Sequence, residues 1–314
     1  MPVRAFVFPG QGSQTVGMGR ELAAVFRIAR ETFEEVDEAL KQRLSRLMFE
    51  GPAEDLTLTA NAQPALMAMS LAVVRVLACE GGVPVTTGCV LVAGHSLGEY
   101  SALAAAGSFT VTEAARLLRL RGEAMQKAVP AGQGAMAALL GLEAEDASAI
   151  CVEVAQGDVV EVANDNGGGQ VVISGGAVAV ERAIAAAKAR GAKRAIPLAV
   201  SAPFHCVLMA PAAEAMAKAL AATPPRRPAV PLVPNVTATP TDDPDEIREL
   251  LVRQVTATVR WRESVAAMKR CGVDTVVELG AGKVLATLVK RIDPDLTALS
   301  VGSPAEIEAF LKTL

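Results

Sequence analysis

A chain of 314 residues with a formal charge of −4, 51% apolar and 20% charged, has ample material for a packed core and does not have a disordered composition. One Trp, one Tyr, eight Phe and no basic run argue against nucleic acid as a ligand. The five cysteines (Cys79, Cys89, Cys151, Cys206 and Cys271) are scattered without a C-x-x-C pair. That pattern fits a reduced, cytoplasmic protein without a structural metal, and no apolar stretch of about twenty residues is read as crossing a membrane.

In chain order, short apolar runs alternate with long amphipathic stretches, as in a mostly parallel sheet covered by helices. Residues 5–8 predict a first strand, the start reading as strand rather than signal peptide. Residues 63–77 predict a helix, 90–93 a strand feeding the corner Gly94-His-Ser-Leu-Gly98, and 112–129 a second long helix. The middle changes character: strand 134–140, helix 143–155, strands 159–163 and 170–174, helix 178–190, strand 194–197. This β-α-β-β-α-β order is the split βαβ arrangement of a ferredoxin-like module. Strands at 230–233 and 273–279 follow. The predicted plan is α/β: one large domain, residues 1–129 and 199–314, interrupted by a small inserted domain over 130–198.

The G-x-S-x-G corner between strand and helix would expose the Ser96 hydroxyl at the top of a sheet, with the helix N-terminus aimed at developing negative charge. A Gly-rich turn without function is the plainer alternative. A serine hydroxyl needs a base, and the chain holds only two histidines. His95, adjacent on a sharp turn, points elsewhere, so a serine–histidine mechanism falls to His205, in Ser201-Ala-Pro-Phe-His-Cys206. Cys206 as a rival nucleophile lacks a separate histidine. No acid completes a triad: Asp146, Asp158 and Asp165 all fall in the insert, so a dyad oriented by a backbone carbonyl fits better.

On the helix 112–129, Ala114, Leu117, Leu118, Met125 and Ala128 share one face, and Arg121 lies in its middle. A buried guanidinium needs an anion. Two partners remain open: a core Asp or Glu in a structural ion pair, or a substrate carboxylate held in a bidentate clamp. The loop Phe8-Pro-Gly-Gln-Gly-Ser-Gln14 fails the dinucleotide pattern at Thr15, and Gly280-Ala-Gly-Lys283 fails the Walker pattern at Val277 and Val284. Gln11 and the Leu97 amide are instead candidate oxyanion donors.

Together these residues resemble the malonyl-CoA:acyl carrier protein transacylase family across essentially the whole chain. The matching pieces include Phe8-Pro-Gly-Gln-Gly-Ser-Gln-Thr15, Gln63-Pro-Ala-Leu66, Gly94-His-Ser-Leu-Gly-Glu-Tyr-Ser-Ala-Leu103, Arg121-Gly122, Ser201-Ala-Pro-Phe-His205, Leu251-Val-Arg-Gln254 and Glu278-Leu-Gly-Ala-Gly-Lys-Val-Leu285. The resemblance implies an α/β-hydrolase-like domain carrying a ferredoxin-like insert. It implies that Ser96 accepts a malonyl ester, His205 acts as base and then acid, and Arg121 holds the malonate carboxylate. Gln11 and Leu97 would form the oxyanion hole, and Gln254 would orient His205 through its carbonyl. Gln63, Asn164 and Phe204 would line or support the pocket, Phe204 resembling the malonyl-selecting form of related polyketide domains. No cofactor is bound permanently; malonyl-CoA is the substrate, CoA leaves, and the phosphopantetheine arrives on a holo-acyl carrier protein. The expected protein is a monomer without nucleic-acid or membrane partners, and Lys188, Arg190, Lys193 and Arg194 are candidates to receive the acidic carrier. Two departures concern loops: Ala281 replaces a frequent proline, and Asn164-Asp-Asn-Gly-Gly-Gly169 is unusually glycine-rich. Alternatives are a serine thioesterase or esterase, an acyltransferase of a polyketide synthase or malonate decarboxylase, and a non-catalytic binding subunit.

Overall fold

The structure, a computed structural model, describes residues 2–200 and 202–314; Ser201 of the histidine motif lies outside the described residues. Among these, ten strands run in chain order: β1 (Arg4–Phe8), β2 (Leu91–Gly94), β3 (Gly134–Leu140), β4 (Val160–Asp165), β5 (Gln170–Gly176), β6 (Arg194–Pro197), β7 (Leu232–Val233), β8 (Val259–Arg260), β9 (Thr275–Leu279) and β10 (Thr297–Val301). They form two five-stranded sheets.

The large sheet has the order β10-β9-β1-β2-β7, and every pairing in it is parallel. β2 and β9 are buried along their whole length, as strands covered by helices on both faces must be. The chain steps from β1 to β2 and β7 in one direction, then places β9 and β10 on the other side of β1. In open α/β sheets such a switch point leaves a crevice at the carboxyl ends of the strands. The loops after β1 and β2 meet there, with the His95 amide donating to the Phe8 carbonyl at 3.0 Å. Edge strand β10 has no counterpart in the sequence reading. Its burial follows neither a strict alternation nor a continuous apolar run, so periodicity does not mark it.

The small sheet has the order β6-β3-β5-β4-β8, the first four antiparallel neighbours in the ferredoxin-like arrangement. Its fifth strand comes from outside the insert: β8 joins β4 in parallel, Asn164 opposite Val259 and Asp165 opposite Arg260. A two-residue strand carries no periodic signal, so this seam is invisible in the sequence.

One membrane-related reading needs correction. The Thr59–Cys79 helix is long and apolar enough, by length and composition, to cross a membrane. It is apolar all round because it is a core helix: 78% of its most apolar window is buried in the fold. It packs against the Val111–Ala128 helix, and Gly122 permits the close approach. A Cβ there would stand 2.7 Å from both the Thr59 carbonyl oxygen and the Ala60 Cα. That contact brings Arg121 to Gln63.

Candidate active site

Ser96 lies two residues past the end of β2 and two before the Gly98–Ala105 helix, with φ +54 in the left-handed region. His205 also has a positive φ, +59. A non-glycine residue held there costs on the order of 1–2 kcal/mol and persists only where its surroundings fix it. Both sides of Ser96 are fixed. Its N–H donates to Asn235 Oδ1 at 2.8 Å, and its carbonyl accepts from Gln254 Nε2 at 3.0 Å.

The two corner glycines are dictated by contact. A Cβ on Gly94 would lie 1.9 Å from the Gly98 carbonyl carbon, and one on Gly98 would lie 2.2 Å from the Phe8 carbonyl oxygen. Backbone cannot yield to a methyl group at such distances. Gly98→Ala is therefore expected to destabilise the protein by at least about 3 kcal/mol, lowering Tm by several degrees in calorimetry, and to displace Ser96. An unchanged Tm would contradict this reading of the corner.

Ser96 Oγ lies 2.7 Å from His205 Nε2, and His205 Nδ1 lies 2.9 Å from the Gln254 carbonyl oxygen. A carbonyl only accepts, so Nδ1 carries the proton and Nε2 is left as the lone-pair nitrogen facing the serine. Burial, then the nearby Arg121 charge, pushes the imidazole pKa down to about 3. At neutral pH it is a neutral base. Among the described residues no carboxylate bonds to His205: Asp158 pairs with Arg182 at 2.8 Å and Asp165 with Arg262 at 2.8 Å. His95 points away from Ser96, its Nε2 lying 2.9 Å from Asn166 Oδ1 in the insert.

Arg121 is fully buried. Its Nη1 donates to Gln63 Oε1 at 2.9 Å, and its Nη2 donates to Gln254 Oε1 at 2.8 Å and to Ser96 Oγ at 3.2 Å. Its Cζ stands 5.7 Å from the Tyr100 ring centroid, within cation–π range. Among the described residues no carboxylate comes within ion-pair distance of it. The structural ion pair is therefore not what the sequence placed there: the guanidinium meets neutral acceptors and a ring, beside the serine.

A cavity of about 290 Å³ opens over Ser96 and His205. Gln11, Asn164 and Phe204 line it; Gln63, expected in the pocket, does not, and like Arg121, Gln254 and Leu97 it is buried outside the lining. The Gln11 side chain is turned to Thr59, its Nε2 donating to Thr59 Oγ1 at 3.3 Å. Among the described residues, neither the Gln11 nor the Leu97 backbone N–H finds an acceptor, which leaves both amides free beside the serine. No group of three or more His, Cys, Asp or Glu among the described residues is placed to hold a metal. Of the four surface cations singled out in the insert, Arg190 pairs with Glu153.

Sequence reasoning missed Met136 and Val200, which also line the cavity, and Asn235 and Glu99 beneath the corner. Asn235 Nδ2 donates to the Gly94 carbonyl at 2.6 Å, and the Asn235 N–H donates to Glu99 Oε2 at 2.8 Å. A signal for Glu99 existed. It is the one charged residue in the buried turns of the Gly98–Ala105 helix, a signal of the kind that singles out Arg121.

Comparison with known proteins gives a consistent result. The acyl transferase domain family matches residues 5–295. The malonyl CoA-acyl carrier protein transacylase of Bacillus subtilis (strain 168) is 48% identical over 311 residues, 99% of this chain and 96% of that protein. Its namesake in Escherichia coli (strain K12) is 49% identical over 308 residues, 98% of each. The crystal structure of acyl-carrier-protein-S-malonyltransferase from Bartonella henselae superposes with a TM-score of 0.97 at 56% identity, covering 99% of both chains. A type II PKS acyl-carrier protein in complex with its malonyl-transacylase gives 0.96 at 46% identity, covering 99% of this chain and 100% of that one. With this agreement along nearly its whole length, the chain belongs to the acyl transferase domain family and, within it, to the malonyl CoA-acyl carrier protein transacylases.

Proposed function

We propose that the protein transfers a malonyl group from malonyl-CoA to the phosphopantetheine thiol of a holo-acyl carrier protein, through an ester on Ser96, in fatty acid biosynthesis. The observation that carries this is the convergence on Ser96 Oγ of a neutral imidazole at 2.7 Å and, at 3.2 Å, a guanidinium that no carboxylate touches among the described residues. The first prepares a nucleophile; the second is the partner an acyl group with a free carboxylate needs and a plain ester does not.

Each half-reaction then balances within the chain. Ser96 Oγ attacks the thioester carbon while its proton passes to His205 Nε2. The Gln11 and Leu97 amides meet the oxyanion, helped by the positive end of the Gly98–Ala105 helix. Collapse expels the CoA sulfur, which takes the proton back from His205. The carrier's thiol repeats the sequence in reverse. Gln254 aligns the imidazole through its carbonyl and steadies Arg121 through its side chain. Asn164 and Phe204, in the cavity wall, bound the space left for the acyl group.

Intact-protein mass spectrometry after brief mixing with malonyl-CoA tests the reading. A malonyl-sized adduct is expected on the wild type, absent from Ser96→Ala, much weaker with acetyl-CoA, and discharged by holo-carrier protein. An adduct lost to water as fast as it forms would make the protein a hydrolase.

A further inference from the structure

Glu99 is a fully buried acid beneath the serine corner. Its Oε2 accepts from the Asn235 N–H at 2.8 Å and from Gln254 Nε2 at 3.1 Å. Its Oε1 is buried and has no hydrogen-bond partner among the described residues. Gln254 joins it to Arg121, since the same amide group accepts from the guanidinium and donates to the carboxylate. The site thus holds a buried carboxyl group and a buried guanidinium, linked through one side chain and not touching.

We propose that Glu99 is a positioning and selectivity residue: ionised, it balances Arg121 in the empty site, and it takes up a proton from solvent when the substrate's carboxylate becomes Arg121's counter-charge. This rests on Arg121 holding the malonyl carboxylate, the reading given above. The proton lands on the unbonded Oε1, so no hydrogen bond is broken. Acyl transfer itself moves no net proton near pH 7, because the CoA sulfur leaves as a thiol.

The groups facing Glu99 allow few other seats for that proton. Burial raises the Glu99 pKa to about 7, against the opposing pull of the Asn235 N–H, Gln254 and Arg121. From the Val111–Ala128 helix comes Arg121, and from its own helix Tyr100, whose phenol is pushed up by burial and stays neutral. The segments bearing Gln254 and Asn235 present only amides. His205 shares Arg121 as a neighbour, but starting from about 3 it remains unprotonated at pH 7. A second negative charge on Arg121 raises Glu99 further. Malonyl binding therefore weakens as pH rises through that range.

Proton uptake is measured with an indicator dye in weak buffer at pH 7, with Ser96 acylation counted by mass in the same samples. The expected result is uptake of a fraction of a proton per malonyl ester in the wild type and none in Glu99→Gln. The KM for malonyl-CoA is expected to rise about tenfold from pH 6 to 9 in the wild type and to stay flat and low in the variant. Should the variant fail to fold, infrared difference spectra of wild type carrying 13C-labelled glutamate give an independent readout. A new protonated-carboxyl band on malonylation supports the inference, and its absence overturns it. Malonylation without uptake, or equal uptake in Glu99→Gln, overturns it alone; no malonylation overturns the functional reading with it.

Discussion

Ser96→Ala is expected to lower kcat/KM for malonyl transfer by about 10⁴-fold or more, and His205→Ala by a similar factor. The serine and histidine act as one unit across a 2.7 Å contact, so the double variant should be no worse than either single one. Steady-state transfer to holo-carrier, with single-turnover acylation for the first half-reaction, reads both effects. Losses that multiplied in the double variant would mean that the two side chains act in separate steps. The expected distribution also follows from tautomer. With Nδ1–H committed to the Gln254 carbonyl, Nε2 has no role except toward the serine and the groups that replace its proton.

Arg121→Ala is expected to cost about 10³-fold in kcat/KM for malonyl-CoA, on the order of 4 kcal/mol, while slow acylation by acetyl-CoA changes far less. The substitution strands the Gln63 and Gln254 side-chain oxygens that the guanidinium now occupies, so some loss of stability should accompany it. Arg121→Lys should recover little, because a single ammonium group cannot span two glutamine oxygens and a planar carboxylate. The same variants bear on the choice between transfer and hydrolysis. A carboxylate held by Arg121 fixes the ester in one pose, and freeing it should raise the fraction of malonyl-enzyme lost to water. Side-by-side rates with malonyl-CoA, acetyl-CoA and water decide the point; an Arg121→Ala enzyme that kept full malonyl preference would refute it.

Much of the site was legible because its residues break local rules. Ser96 sits between two glycines at a strand-to-helix corner, His205 is one of only two histidines, and Arg121 lies on an apolar helix face. Gln254 was reached only through resemblance. The group that faces His205 is a backbone carbonyl, which every residue owns, so no side-chain pattern can announce it. Asn235 escaped because its importance depends on hydrogen bonds between segments far apart in the chain, whereas Glu99 stood out as the one charge of its helix but its partners lie in distant segments. The elements of the insert and the long core helices followed from periodicity, whereas β8 and β10 are set by tertiary pairing and left no periodic trace.

The seam at β8 also bears on inheritance. The stretch that begins at Gln254, where the carbonyl steadies His205, runs on to Thr258, which bonds to the Val162 carbonyl at 2.6 Å, and to the β8 pairing with β4. The Arg260 N–H returns to the Asn235 carbonyl at 3.0 Å, and Asn235 itself holds Ser96. The insert looks like a cassette by topology, but its edge is stitched to the strip of chain that keeps the nucleophile and base in register. In a lineage that shuffles domains, such a cassette is not freely interchangeable. Insert and strip have to descend together, because a graft of the first without the second would leave an edge strand reaching for the wrong neighbour.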